Sequence, residues 1–301
     1  MRKSDPSAQV AALLRLLELL VGLLPYRLAR AFSWLLSGIW YHLLPVRKKV
    51  SLDNLARAFP EMDVARRRRL ARRCFGQLAL CGVEYLRLWR LDVRVAAEIL
   101  EVAGYEHLER AIAAGKGVVV VTGHLANFDL AACCMALRGL EFHVITRRAG
   151  VGAVDRFWMR RRERFGIGFV SQRNSAMVIH RTLRKGGIVV FMIDQHMPLH
   201  HGIVVDFLGM PASTTPAPAL FSYHTGAPIV PVCTERLEGQ KQRLTVFEPI
   251  EPDRTAPRER EVEKITRHLN LWLEQRIRQN PEQWLWVHRR WKVPAGAVGE
   301  S

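Results

Sequence analysis

From residue 100 onward, short apolar runs rich in β-branched residues alternate with segments of helical periodicity, and this alternation restricts the possible folds most strongly. Strands that alternate with helices form α/β sheets in which most neighbouring strands run parallel. We therefore predict an α/β fold whose mixed, mostly parallel sheet is flanked by helices. The predicted strands are Gly117 to Thr122, Phe142 to Thr146, Gly168 to Ser171, Gly187 to Asp194, Pro228 to Thr234 and Leu244 to Phe247.

Catalytic and binding groups in such sheets gather at the carboxyl ends of the strands. That rule selects the turn after Thr122, the loop after Thr146 and the loop after Asp194. An aspartate that closes an apolar strand is difficult to explain by packing, since aspartate is rarely buried without a partner. Asp194 is therefore a candidate site residue, with a loop cap as the alternative role.

The segment GVVVVTGHLANFDLAACC predicts a buried strand, a glycine turn and a helix, with His124 in the turn and Asp129 five residues later. On one continuous helix the two side chains would point about 140° apart. They can meet only if His124 precedes the helix, in a turn that Gly123 makes flexible. A carboxylate on one ring nitrogen would fix the tautomer and leave the other nitrogen as a general base. We predict that Asp129 supplies it; a capping or core role is the alternative.

Residues 11–46 are strongly apolar, but Arg15, Glu18, Arg27 and Arg30 interrupt them. No uncharged run therefore reaches the roughly 18 to 20 residues of a membrane span. We predict an N-terminal helical membrane anchor, either one tilted span or a pair of helices lying in the interface. A buried helical hairpin of a soluble domain is the alternative.

The predicted anchor covers residues 1–49, the catalytic domain residues 50–293, and a short disordered tail residues 294–301. The domain begins with a helical stretch that FPEMD interrupts at 59–63, where Asp63 is a plausible N-cap. The following helix carries a run of arginines that would either bind phosphates or form a solvated face. These are Arg66, Arg67, Arg68, Arg69, Arg72 and Arg73.

The formal net charge of +17 favours anionic partners, such as lipid headgroups, phosphorylated substrates, an acidic carrier protein or nucleic acid. Nucleic acid is disfavoured because no aromatic-rich single-strand platform or helix-turn-helix signature accompanies the charge. The five cysteines form no CxxC pair, which fits a reducing, cytosolic environment. Three closely spaced histidines suggest a metal, but no cysteine or paired carboxylate completes a ligand set, so we predict none. They are His196, His200 and His201.

The C-terminal segment interleaves three tryptophans with cations, a composition that matches a membrane interface. Packing of the indoles onto the sheet is the alternative. The tryptophans are Trp284, Trp286 and Trp291, and the interleaved residues are His288, Arg289, Arg290 and Lys292.

The segment HLANFD at 124–129 is similar to the HxxxxD/E box of the glycerolipid acyltransferase superfamily. The surrounding chain resembles its lipid A biosynthesis branch, the lauroyl and myristoyl (late) acyltransferases. The order and spacing of further blocks make this resemblance specific over nearly the whole chain. They are NLARAFPEM at 54–62, RRRERFG at 160–166, IDQH at 193–196 followed by GIVVDFLGMPASTTPAPAL, and PEQWLWVHRRWK at 281–292.

The resemblance implies a glycerolipid-acyltransferase-like fold in which His124 and Asp129 form the catalytic pair, without a metal or another cofactor. It also implies that the substrate site includes Arg162 or Arg164, together with Asp194 and Gln195. A guanidinium there could hold a substrate phosphate in a bidentate grip, whereas a solvated basic helix face is the alternative.

The implied reaction is O-acyl transfer from acyl-carrier protein or acyl-CoA to a hydroxyl of a lipid A precursor. Its expected place is an anionic membrane, the cytoplasmic face of the bacterial inner membrane. Lipid A enzymes often carry glutamate where Asp129 stands, whereas the related mycobacterial phosphatidylinositol mannoside acyltransferases carry aspartate. Another glycolipid or a lysophospholipid therefore remains an alternative acceptor, and a non-catalytic basic membrane-binding protein is an alternative of a different class.

Overall fold

The computed structural model describes residues 6–44, 46–146, 152–171 and 175–293 of the 301-residue chain. The predicted tail at 294–301 and the loop directly after Thr146 lie outside these described residues. Their predicted features therefore stay predictions, as does the domain boundary at residue 49.

A seven-stranded sheet forms the centre of the molecule, in the strand order β1-β9-β8-β2-β5-β3-β4. Five strands, from β8 to β4 in this order, run parallel, while β9 is antiparallel to β8 and parallel to β1. The mostly parallel sheet predicted from the alternating pattern is thus confirmed. The strands are β1 Leu100–Ala103, β2 Val118–Thr122, β3 His143–Thr146, β4 Gly168–Ser171, β5 Ile188–Met192, β8 Ile229–Arg236 and β9 Gln242–Val246.

Helices cover both faces of this sheet, as its two-sided burial requires. On β2, Val119 and Val121 belong to one buried cluster, and Val118 and Val120 belong to another on the opposite face. This separation follows from the alternation of side chains along a strand. The helices are α1 Pro6–Leu23, α2 Tyr26–Leu43, α3 Lys48–Ala58, α4 Val64–Leu86, α5 Val93–Ile99, α6 Tyr105–Ala113, α7 Phe128–Leu137, α8 Gly152–Glu163, α9 Ser175–Arg184, α10 Ala217–Thr225 and α11 Arg258–Gln279.

The remaining two strands form a separate antiparallel ribbon, β6 Ile203–Phe207 and β7 Met210–Thr214. Its turn residues Leu208 and Gly209 both have positive φ, at 53° and 77°, which is the backbone of a tight hairpin turn. Sequence patterning missed both strands. In β7, Pro211 and small residues take the place of an alternating β-branched run. It also missed the short edge strand β1.

The predicted break between α3 and α4 is confirmed, and so is the predicted cap. The carboxylate of Asp63 accepts a hydrogen bond from the backbone N–H of Arg66 at 2.7 Å, which satisfies one of the free donors at the start of α4. Five of the six arginines on α4 are exposed, and Arg67 is half-buried.

The N-terminal region folds into two helices, α1 and α2, which pack on α4, while α1 also contacts α8. Among the described residues, no helix combines the length and the apolar character that crossing a bilayer requires. Of the two predicted forms of the anchor, a tilted span is therefore not found among the described residues, where charged side chains interrupt both helices, and a pair of interfacial helices stays a prediction. One of these charges is buried: the carboxylate of Glu18 pairs with Arg161 of α8.

The suggestion that the C-terminal tryptophans face a membrane is wrong. Trp284 is 1% exposed, Trp286 0% and Trp291 8%, so the indoles pack inside the molecule as the alternative predicted. Asn54 of α3 ties this segment down, since its side-chain amide donates to the carbonyls of Trp286 at 2.8 Å and His288 at 2.7 Å.

The contact between α2 and α4 requires a glycine. A Cβ at Gly76 of α4 would lie 2.5 Å from the ring of Trp34 on α2, whereas a Cβ at Gly82, also on α4, would meet nothing within 4 Å.

We expect Gly76→Ala to lower the free energy of unfolding by about 1 kcal/mol or more, because the ring must move. Gly82→Ala should raise it by up to about 1 kcal/mol through helix propensity. Denaturant unfolding measures both, and equal effects would contradict this packing.

Candidate active site

Strand register brings His124 and Asp194 together. The neighbouring parallel strands β2 and β5 pair Thr122 with Met192, and the N–H of Ile193 donates to the carbonyl of Thr122 at 3.1 Å. Each site residue stands two positions beyond its strand's paired end. The two side chains therefore meet at the carboxyl edge of the sheet, where the strand-end rule expects a site.

Asp194 accepts three hydrogen bonds, although its side chain is only 2% exposed. Its Oδ1 lies 2.7 Å from Nδ1 of His124. Its Oδ2 accepts from the backbone N–H of His124 and from the indole N–H of Trp284, both at 2.8 Å. The carboxylate thus orients the ring and also holds the turn that carries it.

The predicted hydrogen bond between His124 and Asp129 is wrong. Asp129 lies in the first turn of α7, and its carboxylate accepts from the guanidinium of Arg162 on α8 at 2.6 Å. The carboxylate that contacts the imidazole comes instead from the end of β5, the strand beside β2 in the sheet. In-register pairing of these two strands brings Asp194 to His124, whereas Asp129 at the start of α7 contacts Arg162. Asp194, predicted to bind substrate, thus occupies the position we assigned to Asp129.

The charges of this pair stabilise one another. Burial alone would raise the pKa of Asp194, but the charge of His124 and three hydrogen bonds outweigh it and lower the pKa to about 2. Burial alone would lower the pKa of His124, but the Asp194 carboxylate outweighs it and raises the pKa above the ordinary 6.5. When the ring is neutral, Nδ1–H donates to the carboxylate and Nε2 keeps its lone pair.

Nε2 of His124 faces Gln195, another of the predicted site residues. The side-chain amide nitrogen of Gln195, which is exposed, lies 3.3 Å from it and can donate to the lone pair. The edge of the His124 ring meets Phe128, with ring centroids 4.9 Å apart. A substrate hydroxyl that replaced the Gln195 amide would therefore reach a general base that is already oriented.

The two predicted arginines lie in different surroundings. Arg162 lines the same cavity as His124, and Asp129 raises its pKa against the opposite effect of burial. Its buried Nε has no hydrogen-bond partner among the described residues. Arg164 is exposed and donates to the carbonyl of Trp89 at 3.4 Å. The structure therefore brings Arg162 into the candidate site, and Arg164 is not among the residues that line the cavity.

Three residues near the site carry contacts that sequence reasoning missed. The N–H of His196 donates to Nε2 of His288 at 3.1 Å, and burial lowers the pKa of His288 to about 4, which keeps its ring neutral. Arg290 is fully buried and donates to the carbonyl of Ser213 at 2.6 Å. The three residues are Trp284, His288 and Arg290, which belong to the block PEQWLWVHRRWK. The family resemblance of this block was the sequence signal that could have identified them.

A cavity of about 1170 Å³ opens at His124. Its wall is mostly apolar, and side chains from the sheet and from α6 and α7 supply much of it. Such a space suits a fatty chain, because apolar walls exclude water from it. Representative lining residues are Leu108, Val120, Met135, Leu140, Phe142 and Val144.

Thr215, Ala217 and Phe221 line the cavity, but Phe207 and Leu208 are buried in the core. Among the described residues, no group of three or more His, Cys, Asp or Glu side chains could hold a metal ion.

Comparisons of this chain with known proteins all point to acyltransferases. A model described as bacterial lipid A biosynthesis acyltransferase matches residues 6–293. The chain is 25% identical over 276 residues to the lipid A biosynthesis lauroyltransferase of Escherichia coli strain K12, covering 91% of this chain and 88% of that protein. It is 25% identical over 281 residues to the palmitoleoyltransferase of the same organism, covering 92% and 89%. It is 27% identical over 215 residues to the phosphatidylinositol mannoside acyltransferase of Mycobacterium tuberculosis strain H37Rv, covering 69% and 66%.

The two carboxylates near His124 should affect its titration differently. Asp194→Asn removes the charge that contacts the ring and should lower the pKa of His124 strongly. Asp129→Asn should lower it less, because its carboxylate contacts Arg162 instead. Titration of the ring by NMR, with His124→Gln to assign the signal, measures both shifts. A larger shift in Asp129→Asn would contradict the assignment of Asp194 as the partner.

Proposed function

This chain belongs to the bacterial lipid A biosynthesis acyltransferase family, and from that premise we propose that it transfers a fatty acyl group from a thioester to a hydroxyl of a lipid A precursor. One observation supports the chemistry above all. His124 has Nδ1 bound to the buried carboxylate of Asp194, while Nε2 opens on an apolar cavity of about 1170 Å³. A base for the hydroxyl and a space for the acyl chain thus lie side by side.

In the proposed mechanism, Nε2 of His124 takes the proton of the acceptor hydroxyl as its oxygen attacks the thioester carbonyl carbon. Asp194 stabilises the imidazolium that forms. The tetrahedral intermediate collapses with cleavage of the carbon–sulfur bond, and the imidazolium returns its proton to the leaving thiolate. The products are an ester and a thiol, so the enzyme forms no covalent intermediate.

The developing oxyanion needs donors near the carbonyl. We propose the backbone N–H groups of Phe128 and Asp129, which begin α7 and have no acceptor within the helix. The next N–H, of Leu130, already donates to the side chain of Asn127 at 3.1 Å.

Arg162 is the proposed contact for an anionic group of the substrate, with Asp129 holding its guanidinium in place. The support is its buried Nε, which has no hydrogen-bond partner in the described part of the chain, beside the Asp129 ion pair. A guanidinium held in this way presents fixed donors to a phosphate. We propose no contact with substrate for Arg164, given its exposure.

Acyl-carrier protein is the proposed donor, and acyl-CoA the alternative. A chain with net charge +17 and an exposed arginine face on α4 attracts an acidic protein over a larger surface than it attracts a nucleotide. A phosphatidylinositol mannoside or another glycolipid is the alternative acceptor, because the Mycobacterium tuberculosis relative is named for phosphatidylinositol mannoside.

The hairpin of α1 and α2 supports attachment to the cytoplasmic face of the bacterial inner membrane. Its apolar side chains are exposed in stripes spaced three, four or seven residues apart, which is the pattern of helices lying in a bilayer interface. The stripe of α1 is Leu13, Leu16, Leu20 and Leu23, and that of α2 is Leu28, Leu35, Ile39 and Leu43; Val10, Leu19, Trp34 and Leu36 are exposed as well.

The proposed reaction predicts a specific loss of turnover. His124→Ala should lower turnover by roughly 100-fold to 10,000-fold, the range for loss of a general base. In the unmodified enzyme the rate should rise with pH through the pKa of His124, above 6.5, because only the neutral ring accepts a proton. The assay uses labelled acyl thioesters in neutral detergent with a lipid A precursor or a phosphatidylinositol mannoside.

The same assay, repeated with both donors across a salt series, separates the remaining alternatives. A steeper loss of rate with the carrier protein supports it as the donor, since salt screens long-range attraction. Equal slopes would contradict the donor proposal alone. Normal turnover by a folded His124→Ala protein would contradict the mechanism, and absence of transfer to either acceptor would favour the non-catalytic membrane-binding alternative.

Membrane attachment is tested with a triple variant of the α1 stripe, Leu13→Glu, Leu16→Glu and Leu20→Glu. Binding to anionic vesicles should fall at least about tenfold, because burial of each leucine contributes about 1.5 to 3 kcal/mol. A matched control changes three exposed apolar residues outside the hairpin to glutamate: Val93, Met177 and Leu271. Cosedimentation measures both proteins, and an equal loss in the two would rule out the hairpin as the attachment surface.

A further inference from the structure

A buried ionic network contacts Asn127, three residues after His124. Its centre is Glu84 of α4, which is only 2% exposed. Both carboxylate oxygens accept from the guanidinium of Arg236, at 2.6 and 2.7 Å. Oε2 also accepts from the side-chain amide of Asn127 at 2.8 Å, and Oε1 accepts from the hydroxyl of Tyr26 at 2.8 Å. A buried carboxylate with this many partners is held in a single position.

Asn127 connects this network to the turn that carries His124. Its Oδ1 caps α7 by accepting from the N–H of Leu130, and its own N–H donates to the side chain of Gln242 at 3.2 Å. The preceding residue, Ala126, has a φ of 49°, which is unfavourable for a residue with a Cβ. A turn in such a conformation persists only where its surroundings hold it.

We propose that Glu84 is a positioning residue, which fixes the turn through Asn127 and so presents His124 to Asp194. Its bond to Tyr26, at the start of α2, joins the same turn to the N-terminal hairpin. The importance of this position for turnover rests on the proposed function. The effect of Glu84 on the geometry of His124 is independent of the proposed function and can be measured without substrate.

Titration of the His124 ring reports this geometry. The charged and titratable groups around the ring are Asp194, Asp129, Arg162 and His288. Glu84 makes no hydrogen bond to His124 in the described part of the chain. Asn127→Ser changes no charge, so a shift in that variant indicates that the turn has moved relative to Asp194, whereas a shift in Glu84→Gln also contains the loss of the Glu84 charge. Loosening that contact should lower the pKa, because the contact raises it and burial opposes it.

The first variant is Glu84→Gln, which turns one accepting oxygen into a donor that faces Arg236 together with either Asn127 or Tyr26. We expect the pKa of His124 to fall and kcat to drop at least about tenfold, with the acceptor KM changed less than about twofold. Glu261→Gln is the matched control, since Glu261 is also 2% exposed and bonds Asp253 and Lys264 instead. The control should lose stability without a change in the His124 titration.

An exchange of the two side chains tests the bond itself. In Glu84→Gln with Asn127→Asp, the new amide can donate to the new carboxylate, which still caps α7. Arg236 retains one of its two bonds. The double variant should therefore recover at least half of the loss in kcat on a logarithmic scale, and its His124 titration should move back towards that of the unmodified protein.

If Glu84→Gln does not fold, Asn127→Ser provides the same test, because serine keeps a capping oxygen but lacks the amide donor. An unchanged His124 titration in the folded variant would overturn the inference, as would the same shift in Glu261→Gln or no recovery in the double variant. A shifted titration in a protein that transfers no acyl group would uphold the positioning role and contradict the proposed function instead.

Discussion

The carboxylate of Asp194 is the contact on which the candidate site depends. It joins three parts of the chain that are far apart in sequence: the end of β5, the turn after β2 and the C-terminal segment that contains Trp284. A buried charge without partners is costly, whereas three hydrogen bonds and an adjacent imidazole make it stable. Its low pKa keeps it ionised over the pH range in which His124 titrates. The same interaction therefore stabilises the fold at this point and orients the proposed base.

One ion pair and one hydrogen bond, both partly buried, connect the N-terminal hairpin to the surroundings of the site. Glu18 of α1 pairs with Arg161, whose neighbour Arg162 pairs with Asp129. Tyr26 of α2 contacts the Glu84 network, which bonds Asn127. The helices with the exposed apolar stripes are thus connected to two places in the segment from His124 to Asp129. In the proposed function, these contacts connect the surface that meets the membrane to the residues around His124.

Much of the fold was predictable because each element leaves a local signal. Buried parallel strands are continuous apolar runs, and β2 and β5 were located from those runs alone. The N-cap at Asp63 follows from the residue type and its position before a helix. Elements that depend on distant contacts were missed or misassigned. Pro211 conceals the ribbon strand β7, and the C-terminal tryptophans match a membrane interface in composition while packing inside the molecule.

Consecutive residues are enough to predict the α/β class, the position of His124 in a turn after a buried strand, and Asp194 as a candidate at a strand end. Each of these features follows from local residue type and periodicity. Which carboxylate binds the imidazole depends instead on the folded sheet, because the pairing of β2 with β5 sets the distance between residues seventy positions apart. Strand order and register arise from the packing of the whole sheet. For that reason Asp129, the nearer acid in sequence, contacts Arg162, and Asp194 contacts His124.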